Sequence, residues 1–230
     1  QTAAPQRLLS LDTLRGFDMF FIMGFAALVV SLCRLWPGGF SDWLIAQMGH
    51  AEWDGFFHHD TIFPLFLFIA GISFPFSLSK QREKGMGERS IYLKVIRRGL
   101  TLVVLGFVYS GLFNLEPGTL RLPSVLGRIG LAWMFAALLF INFRVRTRIL
   151  IAAAILVGYG LLLQFVAAPA AGGAGPLTLE GNIVGYVDRM IMPSHLLGGK
   201  GFDPEGLLST LPAIVTAMLG MFTGEFVRCS

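Results

Sequence analysis

The sequence predicts an all-α polytopic membrane protein with about six transmembrane helices. Three observations carry this. Of the 230 residues, 54% are hydrophobic and only 14% are charged, against about 25% charged in an average soluble domain. The mean hydropathy is +0.68. The apolar residues fall in six runs of helical length, and the alternation of a lipid-facing β-barrel strand is absent from them. Such a chain cannot cover a soluble surface and is too apolar to be disordered. Its two cysteines, Cys33 and Cys229, lie far apart and imply no disulfide framework.

A hydrocarbon core of ~30 Å takes about 20 helical residues. The expected spans are 17–36, 61–79, 99–115, 125–143, 149–171 and 207–224, within a single domain over 1–230. The chain does not begin with Met, and we expect a fragment of a longer bundle, truncated at its C-terminus. The first run is long, holds Asp18 and is followed by no small-residue cleavage site, so it is not a secretory signal. Its Asp18 is either a functional intramembrane acid or a local partner of Arg15. The net charge is +4. In a membrane chain this surplus marks cytoplasmic loops rather than a nucleic-acid partner. With the N-terminus in the cytoplasm, thirteen of the eighteen Lys and Arg lie inside, as the positive-inside rule favours. Lys80–Arg98 and Arg144–Arg148 then face the cytoplasm, and His50 and His195 face outward.

The outer loop Pro37–Asp60 carries three of the four histidines, two tryptophans and four acids. Phe40–Met48 has the spacing of a short interfacial helix. The second outer loop, Pro169–Gly206, starts with the flexible Gly/Ala run Ala170–Gly175. Asp60 or Thr61 is placed to cap the second span, with Pro64 in its first turn.

Side chains at this outer mouth suit proton transfer. An imidazole exchanges protons near neutral pH, so His50 is a candidate base or acyl carrier, against the plainer role of an interfacial histidine bonded to loop backbone. Asp60 is a candidate for orienting a histidine, as in a catalytic triad. His58, His59 and Asp60 are adjacent residues that point apart on a helix, so no metal is expected. Arg128 either snorkels to the outer interface or pairs with Asp60 or Asp188. Pro75 interrupts the second span, and Gly71 and Ser73 beside it leave room for a ligand, or the proline is an ordinary kink. The basic loop Lys80–Arg98 suits the phosphates of a nucleotide cofactor or of anionic lipid, though topology alone accounts for its charge.

Five separated blocks add a resemblance. They are Ser10–Asp18 (SLDTLRGFD), His50–Gly71, Arg121–Arg128 (RLPSVLGR), Gly185–Arg189 (GYVDR) and Asp203–Leu208 (DPEGLL). Within the second, His50, Trp53, Asp54, Gly55, Asp60, Phe63, Pro64, Phe66, Phe68, Ile69 and Gly71 stand at matching spacing. In these blocks the chain resembles the transmembrane acetyltransferase family of heparan-α-glucosaminide N-acetyltransferase, with its bacterial NagX-type relatives. It departs at Met23–Leu32, which is apolar and lacks the Asn of the lysosomal members.

The resemblance implies transfer of an acetyl group from cytoplasmic acetyl-CoA to the amine of a glucosamine unit on the outer side. It casts His50 as the active-site histidine. The catalytic candidates are therefore His50 and Asp60. Trp53, Asp54, Arg128 and Asp188 are the substrate-binding candidates, and Gly71, Ser73, Arg97 and Arg98 the cofactor-binding ones. The implied partners are an amino-sugar or glycan acceptor, the lipid bilayer and a second copy of the chain in a homodimer. The expected location is the bacterial inner membrane. An amino-sugar transporter and an O-acetyltransferase of a cell-envelope glycan are the alternative readings.

Overall fold

The computed structural model of the protein describes residues 9–51, 53–110, 123–169, 174–191 and 203–229. All regular structure among them is helical, apart from one isolated antiparallel bridge between Ala167 and Asn182. Five helical segments are long and apolar enough to cross a membrane: Leu9–Cys33, His58–Glu83, Val125–Asn142, Val145–Phe165 and Thr210–Arg228. The protein is an all-α polytopic membrane protein.

These segments correspond to five of the six expected spans, with ends shifted by several residues. The third behaves differently. Its helix, α5 (Glu88–Tyr109), starts well before residue 99 and carries Glu88, Arg89, Lys94, Arg97 and Arg98 in its first half. Its apolar half covers only about 16–17 Å at 1.5 Å per residue. The end of that expected span, residues 111–115, lies outside the described residues, as do Arg121 and His195.

The chain divides inside α4 (Ile62–Glu83) into two compact units, Gln1–Ile69 and Ala70–Ser230. In the first unit, α1 (Leu9–Phe20) runs through a π-helical turn, Phe21–Phe25, into α2 (Ala26–Cys33). Gly24 sits at φ +122° in that turn, a conformation that favours glycine. Phe17, Phe20, Phe21 and Phe25 pack ring on ring across it, with centroids 4.4–6.4 Å apart. The segment expected to be amphipathic forms α3 (Gly39–Gln47), with Phe40 and Trp43 stacked and exposed.

The second unit contains α6 (Val125–Asn142). This helix packs on α5, on α7 (Val145–Phe165) and on α9 (Thr210–Cys229). Helices in lipid gain little from apolar burial against one another, so small residues that allow close approach hold them together. A Cβ on Gly130 would lie 2.6 Å from the Gly99 carbonyl, and one on Gly99 would lie 2.7 Å from Met134 Cβ. Ser124 caps α6 by accepting the Gly127 N–H at 3.0 Å. Tyr92 Oη donates to Asn142 Oδ1 at 2.7 Å, fastening α5 to α6 at the other end.

Helix α4 runs unbroken through Pro75, although the sequence suggested an interruption there. Pro75 is buried, and the same helix is clamped against α9 in the turns around it. A Cβ on Gly71 would collide with the Ala217 carbonyl, and one on Gly224 with that of Ile72. Packing on this scale carries a proline without a break.

Candidate active site and cationic cavity

His50 follows α3, and Asp60 lies in a 3₁₀ turn, His58–Thr61, that leads into α4. The loop between them is irregular, so Trp53 and Asp54 do not share a helical turn with His50. The reason is local. Gly55 takes φ +142°, and a Cβ there would be strained and 3.2 Å from that of Ala51. The resulting reversal brings His50 Nδ1 to 2.6 Å from Asp60 Oδ1. A carboxylate only accepts, so Nδ1 carries the hydrogen, and in the neutral imidazole Nε2 is then the atom with the lone pair.

Asp60 is itself anchored. Its Oδ2 accepts the Phe57 N–H at 2.9 Å, while Thr61 Oγ1 donates to the His58 carbonyl at 2.7 Å. The Asp60 side chain thus reaches back to a donor at the start of its own turn. The imidazole of His50 is 69% exposed against 27% for the Asp60 side chain, so a held carboxylate supports an accessible base. His59 meets the His50 ring edge-on, with centroids 4.8 Å apart. Trp53 is half-buried and Asp54 exposed in the same loop. No group of three or more His, Cys, Asp or Glu placed to hold a metal occurs among the described residues.

The second unit contains a cavity of about 210 Å³ between α4, α5 and α6. Ser73, Ser77, Gln81, Lys94, Arg98 and Trp133 supply its polar and aromatic walls, and no acidic side chain among the described residues lines it. Two of the cofactor-binding candidates, Ser73 and Arg98, are here. The other two are not. Gly71 has α9 in the space of its missing side chain, which is a packing use rather than a ligand approach. Arg97 lies in a separate apolar groove with Leu93, Leu100 and Val104, because consecutive residues of a helix point about 100° apart. Arg98 lies 4.4 Å over the Trp133 ring. The sequence reading did not single out Gln81 or Trp133, and it held Lys94 only as part of the basic stretch Lys80–Arg98. A signal existed for the first: Ser73, Ser77 and Gln81 repeat at four-residue intervals and mark one polar stripe on an apolar helix. A lone Trp in an apolar run carries no such mark.

Arg128 and Asp188 both grip the segment before α9. The Arg128 guanidinium donates to the carbonyls of Pro204 (2.6 Å) and Ser209 (2.8 Å). Asp188, on α8 (Ile183–Ile191), is fully buried, and its Oδ1 accepts the Leu207 N–H at 3.0 Å. Its Oδ2 has no hydrogen-bond partner among the described residues. Burial pushes the Asp188 carboxyl above the usual range, Asp203 adds to this, and the Leu207 N–H and Arg189 oppose it. These contacts are with backbone, so both residues, which the sequence reading named as substrate-binding candidates, shape the segment before α9. In the first unit, Asp18 is 1% exposed, with neither oxygen hydrogen-bonded among the described residues. Arg15 pairs with Asp12 at 3.2 Å instead.

Comparison with known proteins supplies the remaining observation. The chain is 26% identical to heparan-alpha-glucosaminide N-acetyltransferase of Homo sapiens over 98% of its length, and equally to that of Mus musculus. The chain is homologous to these acetyltransferases. It spans 39% and 40% of their lengths. No family model matches it.

Proposed function

We propose that the protein is a membrane-bound acetyltransferase that moves an acetyl group from cytoplasmic acetyl-CoA to an amine of an amino sugar on the outer side, as a bacterial inner-membrane enzyme. The observation that carries this reading is the His50–Asp60 pair at 2.6 Å, in a chain homologous to N-acetyltransferases. A protonated amine is not a nucleophile, so the reaction needs a base. His50 Nε2 accepts the amine proton as the nitrogen attacks the thioester carbonyl. The C–S bond breaks, and CoA leaves as a thiolate that is then protonated. Asp60 holds the ring and stabilises the imidazolium that forms. The pair serves equally well if His50 first carries the acetyl group. Trp53 and Asp54, in the same loop, are placed to meet the sugar. Arg98 and Ser73 are the groups for CoA on the cytoplasmic side, and Arg128 and Asp188 act by holding the loop before α9.

Proteoliposomes test this against transport. Acetyl-labelled CoA supplied on the cytoplasmic side should label glucosamine held on the other. Accumulation of unmodified sugar without label transfer would identify a transporter instead.

A further inference from the structure

Helix α3 joins the end of a membrane span to the turn that holds Asp60. Its start is tied to the span Leu9–Cys33: Ser41 Oγ donates to the Trp36 carbonyl at 2.6 Å, three residues beyond Cys33. Its end is tied to the turn: Gln47 Oε1 accepts the His58 N–H at 3.1 Å. The first N–H groups of a helical turn have no partner within it. Asp60 Oδ2 takes that of Phe57, and Gln47 takes that of His58. The other Asp60 oxygen holds His50 at 2.6 Å. Gln47 therefore supports the peptide two residues before the carboxylate that orients the base. The His58 ring also packs on Phe21 of the π-helical turn, with centroids 5.1 Å apart. At the start of α3 the same helix face meets no protein. Phe40, Trp43 and Gln47 stand at i, i+3 and i+7 on one face, and Asp42 lies about 200° round the helix from Phe40. Phe40 and Trp43 are 74% and 56% exposed, with their rings stacked 5.9 Å apart. Leu28, Leu32, Leu35 and Trp36 are exposed too and lead up to them along the span. In a membrane span that surface faces lipid. The two aromatics continue it to headgroup level, where the rings of interfacial helices settle.

We propose that Gln47 is a positioning residue for the His50–Asp60 pair, carried on a helix that Phe40 and Trp43 seat in the bilayer surface. This rests on the acetyl-transfer reading above and deepens it. Gln47 acts through the His58 peptide rather than on substrate. The loop between His50 and His58 is irregular and makes a soft frame for two groups that must stay in hydrogen-bond contact. A helix fixed to the span at one end and to the catalytic turn at the other supplies the stiffness. Small misplacements of a catalytic group cost large factors in rate, so the seating of α3 in lipid is felt in turnover.

The test uses the purified protein in phosphatidylcholine nanodiscs, with acetyl transfer from acetyl-CoA to glucosamine as the readout. Gln47→Leu lacks the acceptor and should lower kcat about 10- to 100-fold, with KM for glucosamine and CoA affinity unchanged. Gln47→Glu keeps an acceptor at the same place and should recover most of the loss. Phe40→Ser and Trp43→Ser together should lower kcat likewise. Adding Gln47→Leu to that pair should cost nothing more, since both changes act through one contact. The emission that Trp43→Phe removes should be emission that acyl-brominated phosphatidylcholine quenches in the wild type. If Gln47→Leu keeps the wild-type kcat, or if the losses multiply, the proposal is overturned while the acetyl-transfer reading stands. A parallel fall in kcat, CoA affinity and Tm would mark a merely structural bond and also overturn it. Trp43 emission that brominated lipid leaves unquenched would mean that a second copy or another segment covers that face, with the same consequence. If the wild type transfers no acetyl group, both readings fall.

Discussion

Asp60 does two things with one carboxylate: it fastens to the Phe57 N–H and holds His50 at 2.6 Å. Replacement by Asn keeps the size but removes the obligatory acceptor for the Nδ1 hydrogen. Asp60→Asn should therefore lower turnover by about 10²–10⁴-fold, the usual worth of general-base catalysis, with little change in CoA affinity. A steady-state kinetic comparison beside a CoA titration checks both halves. Asp188 behaves oppositely, since its burial disfavours the charged form. A carboxyl whose folded-state pKa is raised contributes stability that is present below its unfolded value, 3.8, and is lost as pH rises through the folded value. Asp188→Asn retains an acceptor for Leu207 N–H without the charge. It should match or exceed the wild type in Tm at pH 7, and the gap should close as the pH falls towards 3.8. Thermal unfolding of both proteins across that range reads it.

Among the elements, α6 depends on close approach. Gly130→Ala puts a methyl against the Gly99 carbonyl and should cost about 1–3 kcal/mol despite its better helix propensity. Gly158→Ala on α7 meets nothing within 4 Å and should stabilise by about 0.5–1 kcal/mol. Opposite shifts in thermal unfolding check the pair, and equal shifts would contradict the packing account. The turn between α6 and α7 holds a second device. Arg148 is 5% exposed, pairs with Glu225 of α9 at 3.1 Å and lies 4.0 Å over the Phe140 ring. Removing Glu225 leaves a buried charge uncompensated, so Glu225→Ala should destabilise by about 3–5 kcal/mol in the same measurement. Hydropathy places Arg148 among the topological charges because it counts residues and cannot see a neighbouring helix. The same blindness set the third span at 99–115: the charged first half of α5 is helix by packing against α6, not by its apolar content. Gly71 and Ser73 were both legible as open positions beside Pro75, but only helix phase decides that one faces α9 and the other the cavity.

For the whole molecule, the apolar runs made the membrane class legible, and the histidines of Pro37–Asp60 marked the candidate site. Composition could not choose among the histidines. The resemblance pointed to His50, and the turn at Gly55 joins it to Asp60. The cavity was only half legible, since Arg98 belongs to a visible basic loop whereas Trp133 reads as core. Orientation is argued from the distribution of Lys and Arg, so a cysteine placed at position 84 should resist an impermeant thiol reagent applied from outside. The central claim is that His50 performs acetyl transfer. The most direct measurement compares wild type and His50→Ala for label transfer from acetyl-CoA to glucosamine, with CoA affinity measured on the same samples. The account predicts turnover lower by about 10²–10⁴-fold with CoA affinity retained. Near-wild-type acetyl transfer by a folded His50→Ala protein would contradict it.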